Sequence, residues 1–236
     1  MNENAINELK AIDENKRLEN IEKALKKGVL IPCTHGVIIG DEAEISAGAL
    51  VLEGSIIIGN SSVGEGSVIG PNSLLYNMRV GKNTRLNAFQ GYEAQVMDNC
   101  DIGPFVHVRP NSVIKSSVHL GNFVEVKNSN IDEHTSVSHL TYIGDSDVGK
   151  HVNFGCGCVT VNFNGKTKHR TTVKDHCFIG CNTNLVAPVT IGEYGYTAAG
   201  STVTEDVPDN ALAIARARQV NKPGWVLKKK PYRGME

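Results

Sequence analysis

VIIGDEAEISAGALVLEGSIIIGNSSVGEGSVIGPNSLLYN, residues 37–77, carries an aliphatic side chain at every sixth position: Ile39, Ile45, Val51, Ile57, Val63, Ile69 and Leu75. Two residues before each stand Val37, Ala43, Ala49, Ser55, Ser61, Ser67 and Ser73, nearly all small. A helix of period 3.6 cannot present every sixth residue on one face, and a half-buried strand alternates at two. A step of six fits a triangular coil with one short strand per side. The aliphatic residue points at the axis, and the small one fits the crowded turn beside it. Each coil buries its apolar face only against its neighbours, so the core runs continuously along the axis.

The step survives interruption. Ile102, Val108, Ile114, Leu120 and Val126 keep it, Ile131, Val137 and Ile143 follow, and Val148, Phe154 and Thr160 come next. The last run is Val173, Ile179, Leu185, Ile191, Thr197 and Val203. Glycines that commonly follow the aliphatic position, Gly40, Gly59, Gly64, Gly70, Gly81, Gly103, Gly121, Gly144, Gly149, Gly180 and Gly192, suit tight corners that need a permissive backbone. The coil is therefore expected over 31–205. Residues 1–30 read as an N-terminal helix and connector, with Ile6, Leu9, Ile12, Ile21 and Leu25 at roughly helical spacing from about Ile6 to Lys27. Such a helix would cap the exposed first coil, a need of solenoid ends. Residues 206–236 read as an extended tail. The stretch NFNGKTKHR, Asn162 to Arg170, is polar and breaks two good repeats, so a loop is expected to protrude over 161–172.

Composition narrows the partners. Lys and Arg number 24 against 25 Asp and Glu, so no large field of one sign is available for nucleic acid or an anionic membrane. The longest apolar runs, such as Ala211 to Ala215, are too short to span a bilayer, and MNENAINELK lacks the apolar centre of a signal peptide. A cytoplasmic location is the expectation. Cys33, Cys100, Cys156, Cys158, Cys177 and Cys181 form no paired C-x-x-C pattern and read as free thiols packed as small apolar groups.

Between Gly103 and Lys168 stand groups that the repeat does not require: Arg109, Lys127, His139, Tyr142, Asn153, Asn162 and Lys168. Arg and Lys suit a phosphate, by bidentate and point-charge contact respectively. A histidine suits proton abstraction near neutral pH. Composition alone does not name the reaction.

Six segments in order do suggest one. GPFVHVRPNS (103–112), GNFVEVKNS (121–129), HLTYIGD (139–145), NFNGKTKH (162–169), LVAPVTIG (185–192) and ALAIARARQVNKPGW (211–225) closely resemble the C-terminal acetyltransferase domain of the bacterial bifunctional N-acetylglucosamine-1-phosphate uridyltransferase/glucosamine-1-phosphate acetyltransferase. The resemblance covers most of the chain, from the N-terminal helix to about Trp225. It implies an all-β, left-handed parallel β-helix and transfer of acetyl from acetyl-CoA to an amino sugar phosphate, glucosamine 1-phosphate above all. This is a step of UDP-N-acetylglucosamine and cell-wall precursor synthesis. His139 would be the general base, and the backbone N–H at Cys156 would stabilise the oxyanion. Arg109 and Lys127 would hold the sugar phosphate, Tyr142 and Asn153 would bond the acceptor, and Lys168 would reach the site from a neighbouring subunit. Asn162 and Phe163 would flank the acetyl group. The rest of acetyl-CoA would run past Cys181 and Ala199 to Arg216 and Lys222. The resemblance further implies a homotrimer with each site between parallel coils, and no metal for the acetyl transfer.

The chain departs from that pattern in places. Phe163 stands where a tyrosine is usual, Cys156 and Cys158 replace Ala and Thr, and Cys181 replaces a common Ser. The nucleotide-binding uridyltransferase half has no counterpart here. The chain is therefore expected not to make the UDP-sugar itself, which leaves a separate uridyltransferase as a candidate partner. Three other readings stay open: a different amino sugar or nucleotide-linked amine as acceptor, a non-catalytic partner, and a metal enzyme of the γ-carbonic-anhydrase kind. For the last, His134 and His139 are spaced five apart like a ligand pair, but Asp98 stands where a third histidine would be needed.

Overall fold

The computed structural model describes residues 3–231, so the first two residues and the last five of the tail lie outside it. The six-residue step becomes a left-handed parallel β-helix of triangular section. Its three sides are parallel sheets of ten, nine and ten strands. The first side begins with Ile38–Ile39, the second with Glu44–Ile45 and the third with Leu50–Val51. Each strand pairs with the one a full coil ahead, as Ile57 does with Leu75 and Val126 with Ile143.

The aliphatic column fills the axis. Ile57, Ile69, Leu75, Leu86, Val108, Leu120, Val126, Val137, Ile143, Ile179 and Leu185 are all fully buried in one continuous cluster. The small residue two places earlier proves to be more than a spacer. At several of these positions its hydroxyl stitches successive coils, though not at Ser112 or Thr171, whose buried hydroxyls have no partner among the described residues. Thr135 Oγ1 donates to the Gly149 carbonyl at 2.7 Å and accepts from Val152 N at 3.1 Å. Ser67 does the same with the Gly81 carbonyl and Thr84 N, at 2.7 and 3.0 Å. A buried hydroxyl that both donates and accepts leaves no unpaired corner group.

The glycines after the aliphatic positions fall into two groups, of which Gly59, Gly70 and Gly103 take positive φ as a permissive corner requires. Gly64, Gly81, Gly121, Gly144 and Gly180 do not take positive φ. At Gly121 a Cβ would collide with the Ser138 carbonyl oxygen one coil on, so close approach of backbones is what demands glycine. Many other left-handed corners fall to residues such as Asn77, Asn111, Asn128, Asp145 and His151, at φ between 47° and 62°. Asn and Asp tolerate that region because their short side chains bond locally.

The N-terminal helix is two helices, α1 (Glu3–Ala11) and α2 (Glu14–Lys26). Asp13 ends the continuity by capping α2, its carboxylate accepting from Lys16 N at 2.8 Å. Ile21 and Ala24 of α2 join the top of the core beside Val29, Ile31 and Val37, while Ile6 and Leu25 face solvent. Glu8 of α1 accepts from Gly59 N at 3.0 Å. At the other end, strand pairing runs past residue 205: Leu212–Ala213 pairs with Tyr196–Thr197. The tail then forms one short helix, α3 (Trp225–Lys229).

Leu120→Ala, which empties the axis beside the coil that carries His139, is expected to cost about 2–5 kcal/mol. Urea-induced unfolding of the two proteins checks it, and a loss below about 1 kcal/mol would contradict a dry, close-packed axis.

Candidate active site

In the middle of the coil the repeat shortens, and residues 17 apart come into register. Asn122 pairs with His139 at the corner between the third and first sides. Continuing the register of Val137 with Phe154 and of Phe154 with Ile179 sets Cys156 above His139 and Cys181 above Cys156. The Asn182 N–H donates to the Cys156 carbonyl at 2.8 Å, and the Gly200 N–H to that of Cys181 at 2.8 Å. Ala199 continues the column by the register of Ile179 with Thr197, and Arg216 lies beyond it, near Gly200. The column from His139 to Ala199 rises three coils, about 14 Å at the usual inter-strand spacing. Among the described residues no carbonyl accepts the Cys156 N–H.

On the first side, one strand away from this column, the outward residues are charged. Arg109 Nη1 donates to Glu125 Oε1 at 2.9 Å, and Lys127 Nζ lies 3.7 Å from Asp145 Oδ2. Lys168 of the same chain stands beside Lys127. The nearby Lys168 ammonium, and then burial, hold the Lys127 ammonium below its ordinary pKa against the pull of Asp145. Three cations thus face two carboxylates. Tyr142 closes the cluster, with Asn162 Nδ2 3.5 Å from its hydroxyl.

The loop is a small hairpin. Phe163 and Lys168 form an antiparallel bridge, and the His169 N–H donates to the Asn162 carbonyl at 2.8 Å. Its base is tied down twice. Arg170 clamps Asp147 at 2.6 and 2.9 Å and reaches the carbonyls of Asn128 and Ser146. Asn162 and Asn128, one coil to either side, both donate to Asp145. Burial on its own would raise the Asp145 carboxyl, but those two amides and the Lys127 and Lys168 charges outweigh it and hold it below the usual carboxylate range.

Arg109, Lys127, Tyr142, Asn162 and Lys168 therefore come together, with His139 one corner away. Asn153 does not join them: it lies on the third side, paired with Ser136 and Phe178. Phe163 is exposed on the hairpin, and Lys222 is exposed in the tail. Burial raises the Cys158 thiol to about 11, whereas Cys181 is open to solvent. His134 and His139 stand at opposite corners of one side. His134 instead stacks on His151 at 4.9 Å between ring centroids. Among the described residues no three His, Cys, Asp or Glu side chains are grouped to hold a metal ion, and no helix is long and apolar enough to cross a membrane.

Sequence reasoning passed over Asp145, Asn128, Glu125, Asn122 and His107. Asn128, Asp145 and Asn162 are 17 apart, as are Asn122, His139 and Cys156, so the length of the local coil was the signal that could have found them. His107, half-buried on the strand before Glu125, has its pKa lowered chiefly by burial.

No family model matches the chain. Curated relatives do. The bifunctional protein GlmU of Caldicellulosiruptor saccharolyticus is 47% identical over 94% of this chain and 48% of its own length. Those of Caldanaerobacter subterraneus and Halalkalibacterium halodurans are 48% and 46% identical over 87% and 88% of this chain. The chain is a hexapeptide-repeat β-helix. It is a homologue of the bifunctional GlmU proteins and spans about half the length of the curated relatives it matches.

Asp145→Asn tests the knot at the hairpin base, since it removes the charge and leaves one amide donor facing another. The substitution is expected to cost on the order of 1–3 kcal/mol at pH 7. Because the folded-state carboxyl is depressed, wild type holds this stability above the unfolded carboxyl pKa and loses it as pH falls through the folded one. The gap between the two melting curves should therefore shrink on acidification below the usual carboxylate range. A gap independent of pH would contradict the account.

Proposed function

We propose that the chain transfers the acetyl group of acetyl-CoA to the amine of an amino sugar phosphate, with glucosamine 1-phosphate as the leading acceptor and N-acetylglucosamine 1-phosphate as product. The observation that carries this is the cluster of Arg109, Lys127 and Lys168 on the same coils as His139 and one corner from it. A dianionic phosphate is the ligand that three cations and only two carboxylates would exchange for their internal pairs. The homology to bifunctional GlmU proteins supports the same reading, as the acetyltransferase half of such a protein.

The chemistry follows from the column. The sugar amine attacks the thioester carbonyl, and His139 takes the amine proton. The unengaged Cys156 N–H, one coil on, would meet the oxyanion of the tetrahedral intermediate. Collapse breaks the C–S bond, and the CoA thiolate leaves and receives a proton. The column past Cys181 and Ala199 suits an extended pantetheine arm, with Arg216 and Lys222 toward its phosphates. Asn162 and Phe163 flank the acetyl end. Asn153 faces away from the cation cluster of its own chain, which supports a site completed by a parallel neighbour in a homotrimer.

Thiol release from acetyl-CoA with a panel of amino sugars, phosphorylated, free and nucleotide-linked, tests the reading. His139→Ala is expected to lower kcat about 10²–10⁴-fold, with CoA binding by calorimetry unchanged. Unchanged turnover in that variant would refute the base, and no turnover of any amine by the wild type would refute the activity.

A further inference from the structure

His139 Nδ1 lies 2.9 Å from Asn122 Oδ1, and the two residues face each other across the ladder. An amide oxygen only accepts, and an amide NH₂ only donates. With the oxygen against Nδ1, the ring proton must sit on Nδ1, and the lone pair is left on Nε2. If the NH₂ stood there instead, the proton would move to Nε2 and the exposed nitrogen would be useless as a base.

The geometry is held by the coil and not by a loop. The Leu140 N–H donates to the Asn122 carbonyl at 3.0 Å, and Thr141 Oγ1 donates to the His139 carbonyl at 2.7 Å. Gly121, just before Asn122, sits so close to the Ser138 carbonyl that no side chain fits there. The step between coils therefore sets the distance from Asn122 to His139. The other titratable groups around the ring are Cys156 on the next coil, Tyr142 on the first side and His119 on the strand of Asn122. Glu125 and Lys127 on the first side are engaged with Arg109 and Asp145.

We infer that Asn122 is a positioning residue that fixes His139 in the Nδ1–H tautomer, with the Nε2 lone pair turned toward the acceptor amine. The inference rests on the reading of His139 as the proton acceptor, but its test does not need turnover. In protein labelled with ¹⁵N-histidine, long-range ¹H–¹⁵N spectra at pH 8 report which ring nitrogen carries the proton, and His139→Gln identifies the signal. Wild type should show the Nδ1–H form, and Asn122→Ala should shift His139 toward Nε2–H. Asn122→Ala should also lower kcat about tenfold with both KM values unchanged.

Asn122→Asp keeps the acceptor and adds a charge that favours imidazolium. Because the base must be unprotonated to act, the acidic limb of the kcat profile should move up by about one pH unit. A merely structural Asn122 would leave that limb where it is. An Nε2–H signal in the wild type, an unchanged tautomer in Asn122→Ala, or an unmoved limb in Asn122→Asp would each overturn the inference. If Asn122→Ala does not fold, the wild-type spectrum and the Asp variant still decide. A chain with the expected tautomers and no acetyl transfer would contradict the activity and leave the role of Asn122 standing.

Discussion

Everything in this molecule depends on the parallel hydrogen-bond ladder that ties each strand to the strand one coil away. Antiparallel hairpins bring sequence neighbours together, whereas a parallel coil brings together residues one full turn apart. Local coil length then becomes a chemical variable. Where a coil contains 17 residues, Asn122, His139 and Cys156 fall into one column and Asn128, Asp145 and Asn162 into another. The aliphatic axis keeps those columns from slipping, since a one-residue shift would turn every buried Ile and Val outward.

The site has a rigid part and an added part. The rigid part is the pair of corners that present His139 and the Arg109–Glu125 and Lys127–Asp145 pairs. The hairpin from Asn162 to Arg170 is added where the second-side strand is delayed, and Arg170 and Asp145 hold its base to the coil. Lys168 is thereby delivered to Lys127 at a cost visible in the lowered Lys127 pKa. Two ammonium groups so close make a place that an anion would relieve.

Much of the fold was legible because its signal is one-dimensional. The sixfold step of Ile57, Val63 and Ile69 needs no knowledge of distant contacts, and the hairpin announced itself by interrupting that step. The two-helix start was not legible, because it turns on a single Asp13 cap within an otherwise helical pattern. The role of Gly121 was misplaced for a similar reason: whether it is required for φ or for close approach depends on the Ser138 carbonyl, 17 residues on. In the site, Arg109, Lys127, Lys168, His139 and Tyr142 could be picked out by type. Asn122, Asn128 and Asp145 could not, since a corner Asn or Asp is what any left-handed turn prefers, and only the register gives them partners.

The central claim is that the Arg109, Lys127 and Lys168 cluster recognises a phosphate on the amine substrate that His139 deprotonates. Its most direct measurement is kcat/KM for glucosamine 1-phosphate and for unphosphorylated glucosamine, in the wild type and in Lys127→Ala. Charge-assisted hydrogen bonds to phosphate predict a wild-type preference of at least about 100-fold for the phosphorylated sugar, much of it lost in the variant. Equal use of the two sugars by the wild type, or a preference untouched by Lys127→Ala, would contradict it.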